Sequence, residues 1–284
     1  MINYLDADAS SAPSTAPAQS SGSLAVVVTS CDKYSDLWQP LFKAFFAHWP
    51  DCPYPIYLIA NFKQFPDHRV CTLLVGEDED WSTTVEKAVQ QLKHTHILFW
   101  MDDAFLSRRV NNDKVEQLFS HLRRVDGNYL RLRPEPRPDL YINDAIGIIP
   151  PGAFYRVSLP ASIWKLSALH QVIQRGETAW EFEIKGSVRS GSLSGFYAAR
   201  TASFGYIHGV ERGTWIRSAA LALERKGYTL DYSARRRMTF VEDLGARYRL
   251  SKTLILHIIP ERWRGFIMAL ARSVRSLVHS KHAG

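Results

Sequence analysis

The chain has 284 residues, of which 46% are hydrophobic, so it can form one large domain or two small ones. Its formal net charge of +7 favours anionic partners such as nucleotides or phospholipid headgroups. Three cysteines without CxxC spacing argue against a disulfide scaffold, and no apolar stretch approaches the roughly 20 residues of a membrane-spanning helix.

The predicted elements alternate between strands and helices. Residues 1–23 are rich in Ala, Ser and Pro, which predicts a disordered leader, and the apolar run Leu24–Val28 predicts a buried strand. A helix that stops at Pro50 follows, then the strands YPIYLIAN and VCTLLVG, then a helix with Ser82 or Thr83 near its start. HILFWM predicts a fourth strand, and DKVEQLFSHLRRV predicts another helix. The alternation predicts one α/β domain, 24–250, with an open, mostly parallel sheet flanked by helices.

Two adjacent aspartates, Asp102 and Asp103, directly follow the apolar fourth strand. In open α/β sheets, ligands bind beyond the carboxyl ends of the strands. Side-by-side carboxylates repel each other unless a cation or hydrogen-bond donors compensate. A Mg²⁺ or Mn²⁺ ion bound to substrate phosphates would supply that compensation. The alternative is a turn in which Asp103 caps the next short segment.

The turn after the first strand, TSCDKYSD, is a second candidate for ligand binding. Asp32 or Asp36 can accept hydrogen bonds from a base or ribose, and Tyr34 can stack on the base. The alternative for Asp36 is that it caps the helix that opens at Leu37.

Three segments together resemble bacterial GT-A glycosyltransferases of surface-polysaccharide pathways: VVVTSCDKYSDLWQPLFKAFFAHWPDCPYPIYLIAN, WSTTVEKAVQQLKHTHILFWMDDAFL and WEFEIKGSVRS. The resemblance covers residues 24–230 and implies that the first turn holds the nucleotide, while the acidic motif binds a metal and the donor diphosphate. The expected donor-binding residues are Thr29, Ser30, Asp32, Tyr34, Asp36, Trp81 and Asp102, and the expected metal ligands are Asp103 and Asp102. A strict DxD motif would need an aspartate where Ala104 stands. Either Asp103 alone faces the metal, or basic residues hold the diphosphate without one.

A later acidic segment, ETAWEFEIKGS, contains Glu181 and Glu183. An inverting glycosyl transfer needs one carboxylate to remove a proton from the acceptor hydroxyl. The resemblance puts this base in the late acidic motif without fixing which glutamate it is. Trp180 is a candidate acceptor platform, and Trp215 a candidate lip of the acceptor pocket; His208 is expected to be structural. The alternative for the acidic segment is a solvated helix start with favourable charge–dipole placement.

From position 251 the sequence changes in character. Apolar residues from Trp263 to Val278 fall on one helical stripe among arginines and a lysine, which predicts a basic amphipathic helix in 251–284. Such a helix is suited to the membrane interface. The alternative is a terminal helix that docks on the domain's own core.

The expected function is transfer of a sugar from a nucleotide-sugar donor to a glycan or lipid-linked acceptor in cell-surface polysaccharide synthesis. The expected location is the cytoplasm, or the inner face of the cytoplasmic membrane, and the expected cofactor is Mn²⁺ or Mg²⁺. No P-loop, Rossmann fingerprint, zinc spacing or nucleic-acid pattern appears in the sequence, so no nucleic-acid partner is expected. One alternative is a sugar-phosphate nucleotidyltransferase, although the first turn lacks its glycine-rich, basic loop. The other is a non-catalytic membrane-associated binding protein.

Overall fold

The computed structural model describes residues 22–138 and 140–248. The predicted leader, 1–23, lies outside the described residues except for its last two positions, and the predicted C-terminal segment, 251–284, lies outside them entirely. Within the described ranges, no helix has both the length and the hydropathy that a membrane crossing requires.

Short strands and helices alternate along the described chain. The strands are β1 (Leu24–Thr29), β2 (Ile56–Ala60), β3 (Val70–Leu74), β4 (His96–Met101), β5 (Ala104–Leu106), β6 (Tyr129–Arg131), β7 (Leu140–Tyr141), β8 (Ile146–Ile148), β9 (Ser162–Lys165), β10 (Phe196–Ala199), β11 (Tyr206–His208), β12 (Val210–Glu211) and β13 (Thr214–Trp215). The helices are α1 (Ser35–His48), α2 (Trp81–Val89), α3 (Asn112–Arg124), α4 (Leu166–Val172), α5 (Ala179–Glu181), α6 (Ser187–Arg189) and α7 (Arg217–Arg225), with a π-helical turn, Phe182–Gly186, between α5 and α6.

Nine of the described strands form one sheet in the order β3-β2-β1-β4-β9-β6-β10-β8-β7. Strands β1 to β4 are mutually parallel, β9 runs antiparallel between β4 and β6, and β10 is parallel to β6. Strand β8 is antiparallel to both β10 and β7, so all strands of this sheet except β8 and β9 point the same way. The predicted open, mostly parallel α/β sheet is therefore confirmed.

The predicted elements from β1 to α3 occupy the expected positions. Helix α1 ends at His48, two residues before Pro50. Helix α2 begins at Trp81 because the Asp80 side chain accepts a hydrogen bond from the backbone amide of Thr83 at 2.8 Å.

Apolar side chains fill both faces of the sheet, which explains the uninterrupted apolar runs of β1 and β4. Val26 of β1 and Trp100 of β4 belong to the apolar core on one face, together with helices α1 and α3. Val27 and Phe99 belong to the core on the other face, together with helices α2 and α4. The polar residues that follow these strands therefore lie where the buried sheet reaches the surface.

A second, two-stranded sheet lies next to the end of β4. Strands β5 and β11 pair antiparallel, with Ala104 opposite His208. The amide of Gly209 donates a hydrogen bond to the carbonyl oxygen of Asp103 at 2.8 Å. This pairing brings a distant part of the chain to the acidic pair.

Candidate active site

Asp102 is fixed at the common edge of β1 and β4. The two strands are parallel with Thr29 opposite Met101, so the next residues, Ser30 and Asp102, meet. The hydroxyl of Ser30 donates a hydrogen bond to Oδ2 of Asp102 at 2.6 Å, and the indole of Trp38 donates to the Ser30 oxygen at 2.7 Å. Asp102 is 7% exposed, and burial together with the charge of Asp103 raises its pKa well above the usual range.

Asp103 faces the opening of the site. Its side chain is 18% exposed, and the nearest basic group is Nδ1 of His208, 3.5 Å from Oδ2. Burial raises the pKa of Asp103, while His208 and Arg235 act in the opposite direction. The two carboxylates are thus only partly compensated by the surrounding protein.

Glu183 is a third carboxylate, on the π-helical turn, and the charge of Asp103 acts on it. The amide of Leu159 donates a hydrogen bond to its Oε1 at 2.8 Å, and the Ser158 side chain also bonds to it. Burial raises the pKa of Glu183, and the charge of Asp103 adds to that rise.

Aromatic side chains lie close to these carboxylates. Burial raises the pKa of Tyr206 to about 12, and the charges of Asp103 and Glu183 contribute to the rise. Trp180 is 65% exposed and bonds through its side chain to Tyr155, whose raised pKa also reflects the charge of Glu183. Neither tyrosine has a local sequence signal, because each is placed by contacts between distant segments of the chain.

Glu181 caps a helix and forms an ion pair. Its Oε2 accepts from the amide and hydroxyl of Thr178, both at 3.0 Å, in a capping box at the start of α5, and its Oε1 pairs with Lys185 at 2.9 Å. These bonds lower the pKa of Glu181 to about 2. A carboxylate with so low a pKa is a weak base, so the structure favours Glu183 of the two predicted candidates.

Asp32 joins the turns that follow the first two strands. Its carboxylate accepts hydrogen bonds from the backbone amides of Asn61, Phe62 and Lys63 at 3.0 to 3.3 Å, and its own amide donates to the Asn61 side chain. The Asn61 side chain also donates to the carbonyl of Gly76, beyond β3. Asp32 therefore orders this edge of the sheet, and its bond to a base or ribose stays a prediction.

Asp36 lies in a buried ion pair, which corrects its expected role as a direct donor contact. Arg235 donates two hydrogen bonds to Asp36, at 3.0 and 3.1 Å, and both side chains are 7% exposed. Arg235 also donates to the carbonyls of Lys33 and Gly213, and its guanidinium lies 4.2 Å from the ring centre of Tyr34. One face of Tyr34 is thus covered, which leaves only the other for stacking on a base.

Thr29 and Trp81 are turned towards the protein interior. Thr29 is 3% exposed, and its hydroxyl bonds to the sulfur of Met101 at 3.2 Å. The Trp81 ring packs against Phe99 and Phe182, with centroids 6.0 and 5.2 Å apart, and its buried Nε1 has no hydrogen-bond partner among the described residues. Thr29 is buried and Trp81 is partly buried, and their roles as direct donor contacts stay predictions.

The prediction for Trp215 is wrong. Its side chain is fully buried on β13, where it packs against Phe105 with ring centroids 5.6 Å apart. Trp215 is the last residue of the β12–β13 hairpin, and its side chain turns into the core. His208, expected to be structural, instead lies half-exposed beside Asp103.

Metal binding at this site would depend on the substrate. Among the residues that the structure describes, no group of three or more His, Cys, Asp and Glu side chains is arranged to hold a metal ion. Mg²⁺ usually takes one or two protein carboxylates and completes its shell with water and substrate phosphates. The partly exposed carboxylate of Asp103 next to that of Asp102 fits such a site, and the predicted Mn²⁺ or Mg²⁺ stays a prediction.

Replacing Arg235 by alanine is expected to destabilise the fold by about 3–5 kcal/mol, because it leaves the buried Asp36 carboxylate without its partner. The neighbouring Arg236 is the matched control, since its pair with Glu242 is 61% and 41% exposed and should contribute little to stability. Denaturant unfolding of both variants measures the difference. Equally small losses in the free energy of unfolding for the Arg235 and Arg236 variants would show that the buried Arg235–Asp36 pair does not hold the first turn in place.

Comparisons with known proteins find only distant similarity to this chain. No protein-family model matches the chain, and no curated protein matches it in sequence. A fragment of S. aureus TarS aligns with a TM-score of 0.41 and 10% identity over 62% of this chain and 60% of that one, and the same fragment in complex with UDP aligns with a TM-score of 0.42 and 9% identity over 64% and 59%. A mycobacterial protein aligns with a TM-score of 0.43 and 11% identity over 74% of this chain and 76% of that one. The chain therefore spans about 60% of the length of the TarS fragment.

Proposed function

We propose that the chain is a glycosyltransferase that moves a sugar from a nucleotide-sugar donor to a glycan or lipid-linked acceptor in cell-surface polysaccharide synthesis. The observation that carries this proposal is the pair of adjacent carboxylates, Asp102 and Asp103, at the carboxyl ends of β1 and β4. A transfer of this kind needs one acidic group near the donor diphosphate and another near the acceptor hydroxyl. The acceptor-side base implies an inverting reaction.

Asp103 and Asp102 form the donor side of the proposed site. They would hold a Mn²⁺ or Mg²⁺ ion, which when bound supplies positive charge to the departing diphosphate. Ser30 holds the Asp102 carboxylate in place, and Trp38 holds Ser30. The first turn, ordered by Asp32 and Arg235, would receive the nucleotide.

Glu183 forms the acceptor side. The Leu159 amide and the Ser158 side chain orient its carboxylate, and the raised pKa brings its basicity closer to neutral pH, where a general base is most effective. Trp180, with most of its ring exposed, would support the acceptor sugar. Aromatic faces commonly pack against the apolar faces of ligands.

Membrane contact through residues 251–284 belongs to the same proposal. The support is their sequence, a basic amphipathic pattern with Trp and Phe on the apolar stripe. Contact of this kind would place the enzyme on the surface that carries a lipid-linked acceptor.

Activity is expected to increase as the pH rises through the pKa of Glu183. A base must be deprotonated, and because burial raises this pKa, the acid limb of kcat/KM should lie above the ordinary glutamate value of 4.5. A pH–rate profile measures it, with Glu181→Gln as the control that should leave the limb in place. An acid limb centred at or below 4.5 would contradict the assignment.

A panel of nucleotide-sugars tests the function itself. The purified chain is incubated with each donor and Mn²⁺ or Mg²⁺, and release of nucleoside diphosphate is measured with and without glycan acceptors. The proposal predicts release from at least one donor. Release of pyrophosphate from a nucleoside triphosphate and a sugar phosphate would instead identify a nucleotidyltransferase.

A further inference from the structure

One segment of the chain, residues 155–159, ends at the amide that binds Glu183. It lies between β8 and β9, and its last residue, Leu159, donates a hydrogen bond to Oε1 of Glu183 at 2.8 Å. The backbone is strained at Tyr155, with φ of 49°, and at Ala161, with φ of 52°, because residues other than glycine rarely adopt this left-handed region. Such conformations persist only where surrounding contacts enforce them, and they cluster at functional sites.

Two buried side chains of β6 hold one side of the 155–159 segment. Tyr129 and Arg131 are 0% and 1% exposed, and they share one face of the strand because they are two residues apart. The hydroxyl of Tyr129 accepts a hydrogen bond from the amide of Ser158 at 3.0 Å and donates one to the carbonyl of the same residue at 2.9 Å. Nη2 of Arg131 donates to the carbonyls of Tyr155 and Arg156. The central sheet thus holds three of the five residues in place.

Ser187 holds the other side of the segment and joins it to the π-helical turn. It directly follows that turn and is 7% exposed. Its hydroxyl accepts a hydrogen bond from the amide of Val157 at 2.9 Å and donates one to the carbonyl of Glu183 at 2.5 Å. The segment is therefore tied to the backbone of Glu183 through Ser187 and to its carboxylate through Leu159.

We propose that Tyr129 and Ser187 are positioning residues for Glu183, which fix the 155–159 segment so that the Leu159 amide meets the carboxylate in one orientation. The inference rests on the proposed function, in which Glu183 is the base. Each of the two hydroxyls both donates and accepts within the protein, so these residues act through the segment and not on a substrate.

The titration of Glu183 reports on this orientation. A hydrogen bond donated to a carboxylate favours its charged form, and the Leu159 amide accordingly lowers the pKa of Glu183, against the effect of burial. The titratable and charged groups whose charges interact with it are Arg131, Asp103, Tyr129, Tyr155 and Tyr206. Ser187→Ala and Tyr129→Phe each remove one neutral hydroxyl and leave every charge in place.

Carbon NMR of the full chain, labelled at the glutamate carboxyl groups, measures this titration, and Glu183→Gln assigns the signal. In Ser187→Ala and in Tyr129→Phe the midpoint should rise by about 0.5 pH unit or more, because a loosened hydrogen bond favours the charged form less. Ser190→Ala is the matched control and should keep the wild-type midpoint. It removes another buried serine hydroxyl three residues later, which donates to the carbonyl of Ser187 at 2.9 Å.

A melting curve of each variant is recorded on the same samples. A lower melting temperature with an unmoved midpoint, in either folded variant, would show that the hydroxyl is only structural and would overturn the inference. An equal rise of the midpoint in Ser190→Ala would overturn it as well, since any disturbance of this turn would then be sufficient. If one of the two variants does not fold, the other decides, because it holds the segment from the opposite side.

The titration requires no known donor, so it separates this inference from the proposed function. Release of nucleoside diphosphate by the wild type, together with unmoved midpoints, would leave the transferase proposal standing and remove the two positioning residues. Midpoints that move in a chain that uses no nucleotide-sugar would remove the proposed function and leave only the link between the segment and Glu183. With an active donor, the acid limb of kcat/KM should move with the NMR midpoint, and the donor KM should not change.

Discussion

Replacing Asp103 by asparagine is expected to lower nucleotide-sugar turnover by about 10²–10³, a loss typical of removing one electrostatic group from a reacting centre. The variant keeps the size and shape of the side chain but loses the charge that faces the cleft. Its fold should be retained, because the carboxylate makes a hydrogen bond to its own backbone and a long contact to His208, at 3.5 Å, and has a charged neighbour in Asp102. Steady-state kinetics with the active donor measures the effect.

The same variant should be at least as stable as the wild type. Because burial raises the pKa of Asp103 above its unfolded value, the folded state binds the proton more tightly, and stability is lost as the pH rises through the folded pKa. The stability advantage of Asp103→Asn should therefore grow from acid to neutral pH. Asp126→Asn is the control, since its side chain is 88% exposed. Wild-type turnover in Asp103→Asn would remove the acidic pair from the mechanism.

Replacing Glu183 by glutamine is expected to lower kcat by about 10²–10⁴, the usual contribution of a general base. Donor KM should change little, because the proposed role of Glu183 concerns the acceptor. Glutamine keeps an oxygen for the Leu159 amide, so the loop should keep its position.

Glu181→Gln is the matched variant for this test. It removes the ion pair with Lys185 and weakens a capping box, which should lower stability with little effect on kcat. If Glu181→Gln and Glu183→Gln lowered kcat by equally small factors, the acidic segment would be structural, or the reaction would retain configuration and need no such base.

The first half of the fold was predictable because its signals are local. Strands β1 and β4 are continuous apolar runs since both of their faces are buried, and α1 shows helical spacing up to Pro50. The acidic pair could be placed at the end of β4 for the same reason, because the apolar run stops there. The predicted strand order did not extend beyond β4, where the strands are only two to four residues long.

The remaining parts of the site depend on contacts between distant segments. His208 and Tyr206 reach Asp103 only because β11 pairs with β5, and Arg235 reaches Asp36 through a buried ion pair. Neither contact leaves a periodic pattern in the sequence. Trp215 was expected at the lip of the acceptor pocket, whereas the β12–β13 hairpin turns its indole inward.

The choice between Glu181 and Glu183 also required the structure. Their spacing of two places them on different faces of a regular helix but on one face of a strand. The segment is neither: a capping box fixes Glu181 at the surface, and the π-helical turn that begins at Phe182 directs Glu183 towards Leu159 and the cleft.

Binding of nucleoside diphosphates tests the donor site without requiring the donor sugar or the acceptor to be known. UDP, GDP, CDP, ADP and TDP are titrated calorimetrically into the wild type and Asp103→Asn, each with and without Mn²⁺. At least one nucleoside diphosphate should bind the wild type, more tightly with Mn²⁺, and Asp103→Asn should lose the effect of the metal. Absence of binding by all five, or equal metal-dependent binding in the variant, would contradict the proposed donor site.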